Sequence, residues 1–229
     1  MSKKKNHFVI ILAAGSGKRM LSDDLKQFFI LGDRPLLMHS LRAFYDFDSS
    51  SNISIVLPRN KIKYWEKICK TYDCKIPHNI FYGGKKRYFS VKNAISNLKI
   101  NKDDMVSIHD GVRPFITKSL IKNVFDAAIK KGHAAPMLYS KDSIRVYINN
   151  TFKTKSVNRS NFIFTQTPQI FKGSLILDAY NQKVKNVTDD ISLIENLVEE
   201  VNLVPGEEDN IKITTQKDWE IAQKLIKSK

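Results

Sequence analysis

The chain has 229 residues, 42% of them apolar and 27% charged, which excludes a disordered tail and supplies enough core to fold without a metal or disulfide staple. Its 38 basic and 23 acidic side chains leave a net charge of +15, but 30 of the basic residues are Lys, scattered beside 17 Asn and 26 Ile, so a basic surface is expected and not a nucleic-acid stripe. No run reaches ~18 apolar residues, so no membrane-spanning helix is expected, and the apolar run Phe8 to Ala14 is half a signal peptide at best.

Apolar runs of strand length fall at Phe8 to Ala13, Ile53 to Leu57, Ile80 to Tyr82, Met105 to His109, Ala134 to Leu138 and Val201 to Val204. Helical spacing lies between them, at Lys61 to Tyr72, Ser90 to Leu98, Lys118 to Lys131, Ile191 to Glu199 and Asp218 to Lys227. Ser90 is a candidate N-cap, and Thr215 with Asp218 forms a capping-box pattern. Such alternation predicts an α/β fold whose mostly parallel sheet is covered on both faces and binds ligands at the carboxyl ends of its strands. Ser143 to Lys155 breaks the pattern, because period-two apolar residues flank Asn149-Asn150 and predict a hairpin. A lone ribbon is marginal, so this one must pack on its own chain or on a second copy. Cys69 and Cys74 are too few for a disulfide framework and read as reduced packing thiols of a cytosolic protein.

The strongest local motif is a strand followed by Ala13-Ala14-Gly15-Ser16-Gly17-Lys18-Arg19. Small residues there let backbone amides approach a polyphosphate, although the pattern is neither a Walker loop nor a full dinucleotide fingerprint. Gly83-Gly84-Lys85-Lys86-Arg87 with Ser90 lies between a strand and a helix, and His109-Asp110-Gly111-Val112-Arg113-Pro114 ends another strand. A carboxylate at that strand end can hold a divalent cation or a ligand hydroxyl. Arg159, Gln166-Thr167-Pro168-Gln169, Thr188-Asp189-Asp190 and Lys212 follow. Taken singly, each has a structural reading: Asp110 pairing with Arg113, Thr188 as an N-cap, Lys212 as one more surface lysine.

In this order, the stretches LAAGSGKRM, KQFFILGDRPLLMHSL, GGKKRYFSVKNAI, VSIHDGVRPF, VNRSNFIFTQTPQIF, TDDISLIE and NIKITTQKDWEIA resemble the 2-C-methyl-D-erythritol 4-phosphate cytidylyltransferase family and its sister family, the ribitol-5-phosphate cytidylyltransferases. The resemblance spans residues 12 to 222. It implies one nucleotidyltransferase domain over residues 1–229, with a Rossmann-like sheet and a dimerisation arm at about 140–158. A homodimer clasped through those arms, CTP and a polyol phosphate as substrates, and magnesium or another divalent cation are implied as well. It also implies that Arg19 and Lys26 stabilise the transition state while Arg159 and Lys212 hold the attacking phosphate. Ala13, Ala14, Gly15, Ser16, Gly17, Gly84, Ser90 and Asp110 would line the nucleotide site. Asp110, Arg113, Ser143, Arg159, Thr188 and Lys212 would contact the polyol phosphate, with Asp110 the candidate metal ligand and Arg159 reaching across the dimer.

The chain departs from the family pattern at four places. Lys85 stands where an acid usually follows the glycine pair, Gly111-Val112 replaces Ala-Ala, Asn158 replaces Asp, and Ile191 replaces Ala. These leave the cytidylyl chemistry untouched and bear on the acceptor, with ribitol 5-phosphate the alternative to methylerythritol phosphate. A nucleotide-sugar pyrophosphorylase would share the first loop but not the later segments. A basic nucleic-acid-binding module would show tight, salt-sensitive binding, and no recognition motif supports it.

Overall fold

An eight-stranded sheet forms the centre of the computed structural model, which describes residues 5–15, 25–148, 153–182, 187 and 189–228. In chain order the elements are β1 (His7–Leu12), β2 (Ile30–Leu31), β3 (Arg34–Pro35), α1 (Leu36–Phe47), β4 (Asn52–Leu57), α2 (Ile62–Thr71), β5 (Asn79–Tyr82), α3 (Arg87–Asn97) and β6 (Met105–Asp110). These are followed by α4 (Lys118–Lys131), β7 (His133–Tyr139), β8 (Ile144–Tyr147), β9 (Thr154–Val157), β10 (Ile163–Thr165), β11 (Gln169–Lys172), α5 (Gly173–Asn181), β12 (Leu203–Pro205) and α6 (Gln216–Leu225). The strand order is β10-β7-β11-β6-β1-β4-β5, with β12 on β7.

All six residues of β1 are buried, as expected for a strand covered on both faces. Val9 and Ile11 pack with α1, α2 and α4 residues such as Leu41, Trp65 and Val124, while Phe8 and Ile10 pack with Val91 and Ile95 of α3 and Ile176 of α5. β4 and β6 flank β1 in parallel, and β5 pairs with β4 in parallel. The chain thus builds outward to β5 and then crosses to the other side of β1 for β6. This switch point opens a crevice beyond the carboxyl ends of β1 and β6.

All six predicted strands are present with boundaries shifted by a residue or two, and the Rossmann-like, mostly parallel sheet is as expected. The antiparallel strands β10 and β11 and the helices α1 and α5 were not anticipated. α1 follows Pro35 without a side-chain cap and is held by burial of Leu36, Leu37, Met38, Leu41 and Phe44.

Two local expectations are corrected. The predicted helix Ile191–Glu199 is a 3-10 turn, Ile191–Leu193, followed by further turns. Gln169 Oε1 accepts from the amides of Asp190 and Ile191, both at 2.9 Å, and Asp189 Oδ1 accepts from Ser192. Tertiary and local side-chain acceptors therefore capture the first donors, leaving a chain of i→i+3 bonds. Ser90 is not the cap of α3 either, since the helix begins at Arg87 after Lys86, and Ser90 Oγ accepts from the Gly84 amide at 3.1 Å. The capping box at Thr215 and Asp218 is complete, with Asp218 N donating to Thr215 Oγ1 at 3.2 Å and Thr215 N to Asp218 Oδ2 at 2.8 Å.

The expected hairpin is the β8–β9 ribbon, paired from Ile144↔Val157 to Tyr147↔Thr154, with Val146, Tyr147 and Ile148 exposed. Its tip at Asn149-Asn150 lies outside the described residues. Asn158, the departure at its base, accepts from the Ser160 amide at 3.1 Å and so caps the 3-10 turn Arg159–Asn161 as an aspartate would. Ile191 is 4% exposed and fills the core under α3 and α5.

Candidate active site

The crevice at the strand ends is a cleft of about 580 Å³. Ala13, Ala14 and Gly15 form one wall where β1 ends, and Gly84, Lys85, Lys86, Arg87 and Ser90 form another from the β5–α3 turn. Asp110 closes the base, and Lys26, Lys212 and Thr214 come from three-dimensionally adjacent but sequence-distant segments. The described lining thus holds five cationic side chains and one carboxylate, a balance suited to a polyanion.

Each charged group is set in place by named contacts. Lys26 opens a 3-10 turn whose next residue, Gln27, donates to the Ala13 carbonyl at 2.6 Å, while Phe28 stacks on Trp65 with centroids 6.0 Å apart. Lys26 itself is only 9% exposed. Lys212 sits between two anchors. Asn210 Nδ2 donates to the Thr167 carbonyl at 2.9 Å, and the Ile213 amide donates to the Val112 carbonyl at 3.0 Å. Asp218, the residue of the capping box, also accepts from the amide and hydroxyl of Thr214, both at 2.8 Å. The start of α6 therefore fixes the strand-like segment that carries the lysine.

Asp110 is the hub. Its Oδ2 lies 2.8 Å from Lys212 Nζ and 3.7 Å from Arg113 Nε, and its Oδ1 lies 3.6 Å from Arg87 Nε. Burial opposes its ionisation, but the attraction of Arg87, Lys212 and Arg113 outweighs that and holds the carboxyl far below the ordinary range. Behind it, Arg87 Nη2 is 2.6 Å from Asp190, which is fully buried and accepts a 2.5 Å bond from Tyr180 Oη. Two carboxylates raise the Arg87 pKa against its desolvation, whereas burial of Arg113, offset by Asp110 alone, lowers the pKa of that guanidinium.

Gly83 is required by close approach: a Cβ there would stand 2.2 Å from Ala14 Cβ and 3.1 Å from Ser90 Oγ. Gly111 is likewise enclosed, and a Cβ there would meet Leu37 Cδ1 at 2.7 Å, so an alanine would require the Leu37 side chain to shift.

Of the residues expected from sequence, Ala13, Ala14, Gly15, Lys26, Gly84, Ser90, Asp110 and Lys212 share this one cleft. Arg113 lies behind Asp110, its Nη1 donating to the Asn210 carbonyl at 2.6 Å, so it holds the Lys212 segment and does not line the cleft. Ser143 and Arg159 are exposed at the base of the arm, where Arg159 donates to the Lys141 carbonyl at 2.6 Å, and neither lines the cleft of its own chain. Ser16, Gly17, Arg19 and Thr188 lie outside the described residues. Sequence reasoning missed the roles of Arg87, Tyr180, Asp190 and Gln27. Two of them left a signal, Arg87 as one of eight arginines in a chain that otherwise uses lysine and Asp190 as the end of the Thr188-Asp189-Asp190 motif.

His109 adds a pH dependence. Its ring is fully buried between Thr167 Oγ1 at 3.0 Å and the Arg113 carbonyl at 3.3 Å, and burial depresses its pKa to about 4. The unfolded ring binds a proton near pH 6.5, so the stabilising contribution of neutral His109 is complete above that and lost as pH falls towards 4. We expect this group to remove about 2 kcal/mol of stability between pH 7 and pH 5. Urea titrations of wild type and His109→Asn check it; equal losses in both would assign the acid sensitivity elsewhere.

A family model for 2-C-methyl-D-erythritol 4-phosphate cytidylyltransferase matches residues 7–228. The protein of that name from Azobacteroides pseudotrichonymphae is 40% identical over 224 residues, covering 97% of this chain and 99% of the relative. Its namesake from Clostridium botulinum is 40% identical over 222 residues, covering 95% and 97%. The crystal structure of 4-diphosphocytidyl-2C-methyl-D-erythritol synthase from Anaerococcus prevotii superposes with a TM-score of 0.81 at 30% identity, covering 97% of this chain and 96% of that one. No described helix is long and apolar enough to cross a membrane. A cationic cleft at a sheet switch point, with matching sequence from end to end, has one economical account: this chain belongs to the 2-C-methyl-D-erythritol 4-phosphate cytidylyltransferase family and is a nucleotidyltransferase.

Proposed function

We propose that the chain, as one nucleotidyltransferase domain, transfers CMP from CTP to 2-C-methyl-D-erythritol 4-phosphate. A phosphate oxygen of the acceptor attacks the α-phosphorus, the bond from that phosphorus to the bridging oxygen breaks, and pyrophosphate departs with the electron pair. The observation that carries this reading is the convergence of Lys26, Lys212 and the Asp110 hub on one cleft beside the Ala13–Gly15 turn. No protein nucleophile is required, because such displacements are accelerated by positioning and charge neutralisation.

In this reading the amides of the β1 turn and Lys26 cradle the triphosphate, and Lys212 holds the incoming monoester, itself oriented by Asp110. Arg19 adds charge at the triphosphate, and Thr188 contacts the polyol. Asp110 is the one carboxylate of the described lining, and no three metal-ligating side chains cluster among the described residues. A carboxylate oxygen suits a divalent cation, and Asp110 would hold one there. Such an ion, when bound, neutralises charge on the phosphoryl oxygens.

The relatives named above bear the methylerythritol name, which favours that acceptor over ribitol 5-phosphate. Pyrophosphate release from CTP and magnesium, measured with each polyol phosphate in turn, decides. Turnover with methylerythritol phosphate is expected, and release only with ribitol phosphate would move the chain to the sister activity.

Ser143 and Arg159 fit a site completed by a second copy through the β8–β9 arm, whose Val146, Tyr147 and Ile148 are exposed. Mixing Arg159→Ala with Lys212→Ala protein should then restore up to about a quarter of the wild-type sites, because a heterodimer rebuilds one intact site. Additive, uncomplemented activities would place Arg159 in its own chain's site or outside catalysis. Gly83→Ala should lower kcat/KM for CTP by about 10²-fold, since the added methyl forces the two nucleotide-binding turns apart. Steady-state kinetics test this, and an unchanged constant would mean that the turns separate freely.

A further inference from the structure

The C-terminal end of α2 carries two thiols for which the transfer reaction has no use. Beyond Thr71 the chain turns back through Asp73, a non-glycine residue with φ of 45°, and the Cys74 amide donates to the Cys69 carbonyl at 2.9 Å. With the Asp73 amide donating to the Lys70 carbonyl at 3.3 Å, this is a Schellman turn, in which the side chains at the two ends, here Cys69 and Cys74, commonly meet. Both cysteines are half-buried at the edge of the core that joins α1, α2 and α4.

Cys74 also lines a cavity of about 380 Å³, between the β2–β3 turn at Asp33 and Arg34, Met38 and Arg42 of α1, and the segment after α2. None of its described lining residues belongs to the nucleotide cleft. Cys74 lines that cavity and Cys69 does not, so Cys74 is the thiol that a molecule in the cavity meets.

The neighbouring Cys69 thiol holds the Cys74 thiol below its ordinary range, with burial opposing and the Ile76 backbone and Arg42 assisting, while Cys69 itself is pushed upward. Asp73 opposes the Cys74 thiolate, but its carboxylate is paired with Lys75 at 3.0 Å. One thiol that lines a cavity and a second at the other end of the same turn is the arrangement that attack and resolution in thiol exchange require.

We propose that Cys74 and Cys69 form a thiol–disulfide exchange site for low-molecular-weight disulfides, with Cys74 as the attacking and Cys69 as the resolving thiol. The Cys74 thiolate attacks one sulfur of the external disulfide, whose S–S bond breaks and releases one thiolate. Cys69 then attacks the Cys74 sulfur of the mixed disulfide and expels the second thiolate. Two protein thiols are oxidised to one disulfide, the external disulfide is reduced to two thiols, and the two protons end on the leaving groups.

The test is intact-mass and peptide analysis of the full chain after incubation with oxidised glutathione near pH 7. Wild type should lose two hydrogens and yield a Cys69–Cys74 cross-link. Cys69→Ser, which keeps a hydroxyl donor, should stop at one glutathionyl group on Cys74. Cys74→Ser should react at Cys69 at least about tenfold more slowly. An unreactive wild type, independent glutathionylation of both thiols, or faster reaction at Cys69 would overturn the proposal. The wild-type result needs no substitution, so a misfolded variant cannot obscure it.

Discussion

Alanine at Lys26 or Lys212 is expected to lower cytidylyl transfer by about 10²- to 10³-fold, the usual loss for one preorganised contact to developing charge. The fold should survive both changes. Removing the Lys212 ammonium leaves Asp110 with Arg87 and Arg113, so no carboxylate is stranded. The turn at Lys26 is held by the Gln27 bond to Ala13 and the packing of Phe28, which do not involve the lysine head group. Pyrophosphate release measured beside thermal melting separates the two quantities. Wild-type turnover from a folded Lys26→Ala or Lys212→Ala protein would remove these lysines from the chemistry.

Arg87→Ala should behave in the opposite way, as a stability defect first. Asp190 is fully buried, and Arg87 is its cationic partner among the described residues. Truncating one member of a buried pair strands the other and typically costs about 3–5 kcal/mol. For a chain of this size that is a fall of roughly 6–20 °C in melting temperature. Asp190 is also tied to Tyr180 and, through its amide, to Gln169, so the defect should spread to α5 and the turn after it. Adding Asp190→Asn to Arg87→Ala removes the stranded charge and should recover part of the loss, as coupled sites do. A melting temperature for Arg87→Ala within about 2 °C of wild type would mean that water reaches the pair and screens it.

These two outcomes mark a division within a single basic cleft. Lys26, Lys212 and Arg87 all line the cleft, but Arg87 and Arg113 are also tied to groups behind it, Arg87 to Asp190 and Arg113 to the Asn210 carbonyl. Arginine suits the inner role because its planar fork can meet more than one acceptor at once, as Arg87 does between Asp190 and Asp110. The scattered lysines that produce the +15 charge do not have to be assigned to a polyanion partner.

What could be read without coordinates was what local rules govern. The strand β1 announced itself as a continuous apolar run, and the capping box at Thr215 needs two residues three apart. The small residues after β1 and the motifs at Gly84, Asp110 and Lys212, which share one cleft, were legible because glycines and isolated charges at strand ends stand out in any sequence. What failed were readings that distant contacts decide. Ile191–Glu199 has helical spacing, but Gln169, more than twenty residues away, takes the first amides and leaves a 3-10 turn. Ser90 looks like a cap, yet Gly84 claims its hydroxyl oxygen from across the turn. Arg113 sits in a ligand-like motif and still points behind Asp110, because burial beside that carboxylate and the Asn210 carbonyl satisfies it there. Periodicity and residue type set which segments could reach the cleft; only packing, which buries one partner and exposes another, determined which side chains line it.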